Sequence, residues 1–289
     1  MNISTKEIDR KVDETEGKAR ILTGWQLKLV AVIAFTWSAF QLWYASPLPF
    51  MVGFGVLIDV PARAIHLGFA LLLAFLSFPF LKKDRHKKFG LISLCLAILA
   101  FYCTFYIFNN YEALVNRNGI LLKHEINIFG KQFTFPSELI LGIIGIVLLL
   151  ESTRRAIGTP LVIVALIFLL YSIFGQSMPE MISHQGLSLK RLVGYHWFGG
   201  EAIFGIPISV SVSFVFLFVL FGSMLDYAGG GRYFLGLAIA LVGKFRGGPA
   251  KASILASGLT GMISGSSIAN VVTTGTFTIP IMKKTGFPA

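Results

Sequence analysis

Residues 257–280, SGLTGMISGSSIANVVTTGTFTIP, gather neutral oxygen groups inside an otherwise apolar stretch. The segment is too apolar for a surface loop and too rich in glycine, serine and threonine for an ordinary membrane helix. Its pattern predicts a helix, a broken middle from Ser264 to Asn270, and a second half-helix ending at Pro280. Broken helices persist at membrane depth only where the freed N–H and C=O groups are buried in protein or line a cavity. The middle supplies hydroxyls, an amide carbonyl and closely approaching backbone, and carries no formal charge. Neutral oxygens of this kind suit a hard cation such as Na⁺, and a half-helix N-terminus beside them suits an anionic substrate. Close packing is the competing reading, because Gly261-xxx-Gly265 is also the small-residue spacing that lets two membrane helices touch. The sequence leaves both open.

Other chemistries find less support. An intramembrane hydrolase using Ser266 or Ser267 would need a histidine and a carboxylate at the same depth. His66, His86, His124, His184 and His196 all fall near predicted span ends or in loops. Glu180, His184, Lys190, Arg191 and His196 share an outer loop without metal-ligand spacing. Gly229-Gly230-Gly231 is not followed by the Lys-Ser or Lys-Thr pair of a nucleotide-binding loop. Cys95 and Cys103 lie in one apolar helix, where eight residues separate them by about 12 Å, too far to pair. Neither an enzyme nor a bound cofactor is expected.

The elements that must position residues 257–280 are set by composition. Of 289 residues, 55% are hydrophobic and 13% charged, which predicts an all-α polytopic integral membrane protein. About six to seven transmembrane helices plus a re-entrant helical hairpin account for the apolar runs. The net charge of +11 sits in short loops, where it marks topology and not nucleic acid. Residues 1–24 read as a mixed-charge cytoplasmic arm with no cleavable signal peptide, so the first span is its own insertion signal. Spans are predicted at 25–45, 61–81, 89–108 and 137–150, a short one at 161–174, another ending near Leu225, and a half-span at 233–242. Residues 47–58 are too short to cross and read as interfacial or re-entrant. Lys82 to Lys88 and Arg154-Arg155 mark the cytoplasmic side, and residues 109–135 form a polar outer loop. Arg63, near the start of the second span, either snorkels or finds a partner across a helix interface. The chain stops after Lys283-Lys284 with one broken segment and no counterpart, the pattern expected of the N-terminal portion of a longer protein.

Several motifs together resemble one family. Leu150-Glu151-Ser-Thr-Arg154-Arg155-Ala-Ile-Gly158, Gly200-Glu201-Ala-Ile-Phe204-Gly205-Ile-Pro207, Phe218-Val-Leu-Phe221-Gly222, Arg246-Gly247-Gly248-Pro249-Ala250-Lys251 and Ser264 to Pro280 resemble the fused permease of the tripartite ATP-independent periplasmic (TRAP) transporters, TAXI-associated type. Arg63-Ala-Ile-His66-Leu-Gly68 adds a weaker match. The resemblance implies a four-helix small-subunit-like domain at 25–158 fused to the beginning of a large transport subunit at 159–289. It implies a Na⁺-driven secondary transporter of the bacterial or archaeal inner membrane that imports a small organic anion delivered by a periplasmic substrate-binding protein. By motif, Ser266, Ser267 and Asn270 would supply oxygens to Na⁺ with Gly275 beside them, while Ser264, Thr273 and Thr274 would face the substrate. A purely structural membrane subunit is the alternative, which fits residues 1–158 well and residues 257–280 poorly.

Overall fold

A backbone in lipid must satisfy its own N–H and C=O groups, so apolar runs of spanning length fold as helices. The computed structural model describes residues 19–81, 84, 88–117, 120–128, 131–262 and 267–287. Its helices are α1 (Trp25–Ala45), α2 (Leu48–Val52), α3 (Asp59–Ser77), α4 (Leu91–Asn116), α5 (Ser137–Ala156), α6 (Thr159–Ile173), α7 (Leu189–Val193), α8 (Ile206–Val210), α9 (Phe216–Tyr227), α10 (Gly230–Val242), α11 (Gly248–Gly261) and α12 (Ser267–Lys284). Among the described residues, α1, α3, α4 and the run Ile206–Leu225 are long and apolar enough to cross a membrane. α5 is 20 residues long and apolar from Leu139 to Leu150. α6 and α10 are shorter apolar helices. The chain is an all-α multi-pass membrane protein; among the described residues one β-hairpin departs from this, β1 (His124–Ile128) with β2 (Lys131–Phe135). Two compact units divide it, Lys18–Ser213 and a second containing Phe214–Ala289.

In the first unit α3 and α4 form the centre. α4 is apolar nearly all round, so small residues decide which face meets its neighbour. Ala97, Ala100, Cys103, Thr104 and Ile107 recur at helical spacing and are buried. A Cβ at Gly68 of α3 would run into Thr104 and Phe101, so that glycine sets how closely α3 and α4 approach. On α5, Gly142 and Gly145 lie three apart on one face and are covered by Val193 and the fully buried Trp197. Trp197 belongs to a wide π-helical turn, Gly194–Phe198, that follows α7.

Buried polar side chains tie the helices together where lipid offers no water. Gln26 at the start of α1 donates to the Phe89 carbonyl (3.0 Å) and accepts from the Phe89 N–H (3.3 Å). Arg63 donates to the Phe204 carbonyl at 2.9 Å while pairing with Asp59 at 3.0 Å. The partner reading of Arg63 therefore holds.

Residues 109–135 differ from the single polar loop expected. α4 continues to Asn116, past a kink at Asn110 (φ −114°, ψ 16°) whose side chain donates to the Tyr106 carbonyl at 3.0 Å. The hairpin follows, with Ile126 opposite Phe133 and Ile128 opposite Lys131. The period-2 alternation of HEINI and KQFTF carried that strand signal. Arg117, read from sequence as a loop charge, instead forks onto Glu138 with Nη1 to Oε2 at 3.1 Å and Nη2 to Oε1 at 2.9 Å. The Tyr106 hydroxyl (2.8 Å) and the Leu122 N–H (2.6 Å) complete the shell of this carboxylate, whose side chain is 1% exposed.

In the second unit, Leu235, Ala238, Ala252 and Ala256 form a small core between α10 and α11. Gly247 between them has φ 73°, and a Cβ at Gly248 would strike the Gly243 carbonyl. The two glycines of Arg246-Gly247-Gly248-Pro249 are thus turn requirements, and Pro249 opens α11. α12 does not end at Pro280 as the sequence suggests. It runs through that proline to Lys284, because losing one N–H costs a single rung late in an 18-residue helix.

Two substitutions probe the first unit. Glu138→Ala leaves the Arg117 guanidinium without its carboxylate and should lower stability by about 3–5 kcal/mol, seen as a reduced thermal midpoint in detergent. An unchanged midpoint would mean the cluster is not a structural anchor. Gly145→Ala drives a methyl into the Trp197 ring and should cost about 1–3 kcal/mol in the same measurement.

Candidate cation and substrate site

α11 and α12 pack on each other in the second unit, and Asn270 lies on α12. Ser264 and Ser266 lie outside the described residues, as do the side chains of Ser267 and Thr273. Asn270, Thr274 and Gly275 are described, and the first of them is the informative one.

The Asn270 amide nitrogen donates to the Ser257 carbonyl at 3.0 Å and to the Ser257 hydroxyl at 3.3 Å. A carbonyl only accepts, so this bond fixes which end of the amide is nitrogen. Oδ1 then points away from Ser257, buried and with no hydrogen-bond partner. Gly261 makes room for the nitrogen end: a Cβ there would come within 3.1 Å of Asn270 Nδ2. The Asn270 nitrogen packs against and bonds to α11, and the oxygen is left as an unused acceptor.

Asn270, Thr274 and Thr278 recur every four residues along one stripe of α12, and both threonines are buried. Thr274 donates its hydroxyl proton to the Asn270 carbonyl (2.7 Å), and Thr278 does the same to Thr274 (2.9 Å). Each keeps oxygen lone pairs free to accept. On α11 the hydroxyl of Thr260, 4% exposed, is likewise buried without a partner. Sequence reading passed over Ser257, Thr260 and Thr278; the four-residue spacing of Asn270, Thr274 and Thr278 was the available signal. At Gly275 a Cβ would meet only Ile279 at an ordinary 3.5 Å. Steric need does not explain that glycine.

His66 corrects the expectation that every histidine lies at a span end or in a loop. It sits seven residues, about 10 Å, into α3 and is buried, because α1 and the turn after α8 close over it. Trp37 donates to its Nδ1 at 3.2 Å and the Gln41 amide also meets Nδ1, so Nε2 carries the proton and donates to Ser211 Oγ at 3.0 Å. A ring that donates to serine is not a base for it. His66 is a strut between α1, α3 and Ser211. His184 and His196 are also structural: His184 contacts the Tyr171 carbonyl (3.0 Å) and accepts from the Gly186 N–H (3.0 Å), while His196 contacts the Leu192 carbonyl at 2.9 Å.

Residues 144–289, just over half of the chain, match the family described as "Tripartite ATP-independent periplasmic transporter, DctM component". This chain belongs to that family. The family match includes α6 to α12. The chain is 30% identical over 156 residues to "Uncharacterized protein YgiK" of Salmonella typhimurium, covering 54% of this chain and 31% of that protein. It is 38% identical over 71 residues to "C4-dicarboxylate TRAP transporter large permease protein DctM" of Rhodobacter capsulatus, covering 25% of this chain and 16% of that one. The same identity and length relate it to "Uncharacterized protein y4mL" of Sinorhizobium fredii, with 25% and 17% covered. The DctM-family chain thus spans about a third or less of the length of these relatives. No solved structure matches it.

Thr260→Val tests whether its hydroxyl is idle in packing. The replacement keeps the shape and removes an unpaired buried group, so stability in Na⁺-free buffer should be unchanged or raised by about 1–3 kcal/mol. A clear loss of thermal midpoint would show that Thr260 Oγ1 has a structural partner.

Proposed function

We propose that this chain is membrane permease machinery of a Na⁺-driven, binding-protein-dependent secondary transporter that imports a small organic carboxylate across the inner membrane of a bacterial or archaeal cell. The observation that carries the reading is Asn270 Oδ1, a buried, unpartnered, neutral oxygen on α12 inside the family-matched residues. A buried acceptor without a partner is costly unless something fills it. A dehydrated Na⁺ needs several such oxygens, and Thr260 Oγ1 and the Asn270–Thr274–Thr278 stripe lie on the same two helices. Ser266, Ser267 and Gly275 are proposed to complete the cation shell, and Ser264, Thr273 and Thr274 to face the substrate. The N-terminus of α12 supplies partial positive charge for a carboxylate. The Rhodobacter relative, named for C4-dicarboxylates, supports a carboxylate as cargo.

In this reading residues 25–158 are a small-subunit-like domain and residues 159–289 begin the large subunit, of the TAXI-associated type. Delivery by a periplasmic substrate-binding protein follows from the family's tripartite design. Residues between 159 and 213 dock on the small-subunit-like helices through Trp197, Arg63 and His66, which suits a scaffold held still while another part moves.

The test is uptake by the complete transporter reconstituted in vesicles with its binding protein, measured against Na⁺ at fixed pH and against pH at fixed Na⁺. Asn270→Ala should raise the half-saturating Na⁺ roughly five- to a hundredfold, the equivalent of about 1–3 kcal/mol for one lost ligand. An unchanged half-saturating Na⁺ overturns the ligand assignment, and uptake that follows pH without needing Na⁺ overturns Na⁺ coupling.

A further inference from the structure

At one end of the first unit a cavity of about 350 Å³ is lined by Pro79, Phe80, Arg154, Arg155 and the residues that open α6, Gly158 to Pro160. Roughly a dozen water volumes fit in it. Its charge balance is uneven. Glu151 accepts from Arg154 Nε (2.8 Å) and Nη2 (2.9 Å) and from Arg155 Nε (2.7 Å), so one carboxylate serves two guanidinium groups. Arg155 also lies over the Phe75 ring, 4.8 Å from its centroid, which holds it in place. Its side chain is 3% exposed, and its Nη1 is buried without a partner. Arg20 stands close by, with its Nη2 on Ser93 and its Nε and Nη1 buried and unpaired. Burial, and then the Arg155 charge, lower the pKa of Arg20, while Asp84 opposes them. Among the described residues, one guanidinium nitrogen of the cavity lining, Arg155 Nη1, has no acceptor, and two more lie on neighbouring Arg20.

The remaining wall adds positive potential. α6 is 15 residues long and begins at the cavity, with Gly158 at φ 128° turning the chain so that its N-terminus faces the same space. Past the cavity α6 buries none of its side chains. Ile157 and Phe80 on the cavity rim, and Leu161 and Phe168 farther along α6, are exposed apolar side chains. Polar acceptors are wanted at one end and apolar cover along the rest.

We propose that this cavity binds the phosphate headgroup of an anionic phospholipid, with Arg155 and Arg154 and the α6 N-terminus on the phosphate and the acyl chains along α6. A phosphodiester supplies the acceptor that Arg155 Nη1 lacks. The apolar run along α6 selects a lipid over free phosphate. This site shares no residue with α11 and α12 and does not depend on the proposed coupling ion.

The experiment uses the complete transporter, purified in uncharged detergent and stripped of lipid, with the thermal midpoint followed against added phosphatidylglycerol, phosphatidylcholine or inorganic phosphate. Phosphatidylglycerol should raise the midpoint saturably, and the other two should raise it far less at equal concentration. Arg155→Gln should abolish the difference, but it also removes a bond to Glu151. Thr159→Asp is therefore the decisive variant: an acidic residue in the first turn favours the helix, so the protein folds, yet it repels a phosphate. Its half-saturating phosphatidylglycerol should rise roughly tenfold or more, the effect of about 1.4 kcal/mol of repulsion. Equal shifts from the two lipids, or an undiminished response in Thr159→Asp, overturn the site. A full shift from inorganic phosphate alone overturns the lipid as occupant.

Discussion

A polar group inside hydrocarbon has no water to turn to, and among the described residues this constraint sets the partners of the buried polar side chains that join helices. Gln26 answers both the N–H and the carbonyl of Phe89. Glu138 collects a guanidinium fork, a tyrosine hydroxyl and a backbone N–H. Each such set joins elements far apart in sequence, so satisfying the polar groups also specifies which helices are neighbours. Helix association in lipid gains little from hydrophobicity itself, and packing against small residues supplies the rest. Gly68, Gly142 and Gly145 are where that packing is closest.

The exceptions to the rule are informative because they are few and local. Among the described residues, unpaired buried polar atoms occur on Asn270 and Thr260 of the packed pair α11 and α12, on Arg155 at the cavity and its neighbour Arg20, and singly on Gln41 and Trp197. On α11 and α12 the orphans are neutral oxygens, which suit a cation. At the cavity they are guanidinium nitrogens, which suit an anion. The chemistry of what is missing differs between the two places as the chemistry of the donors does.

The first unit also shows polar residues of a spanning helix used as fastenings between helices. His66 in the middle of α3 resembles, by position, a proton-handling residue of the kind intramembrane histidines often are. Its partners argue otherwise: Trp37 fixes Nδ1 as an acceptor, and Ser211 takes the Nε2 proton. Arg63 likewise spends its charge on Asp59 and a backbone carbonyl. The short Arg63-Ala-Ile-His66-Leu-Gly68 segment is thus a fastening strip, with two polar clasps and one glycine for close approach.

Apolar length and basic loops were enough to read the membrane class and most helices from sequence, since spanning length and the absence of water leave a helix as the natural solution. A break between two helices was legible because glycine, serine and threonine interrupt an apolar run at residues 257–280, and the turn motif at Arg246 to Pro249 because only glycine tolerates its backbone. Which half of Asn270 bonds and which half stays free was not legible, since that depends on Ser257 lying opposite it on α11 at 3.0 Å. Nor could sequence tell a snorkelling Arg63 from one bonded to Phe204, or a loop Arg117 from one buried on Glu138. Those partners lie 141 and 21 residues away. Periodicity records which face of a helix is apolar, but only tertiary contact decides which polar group on another segment will meet it, and in a membrane that meeting determines whether a charge is a strut or a site.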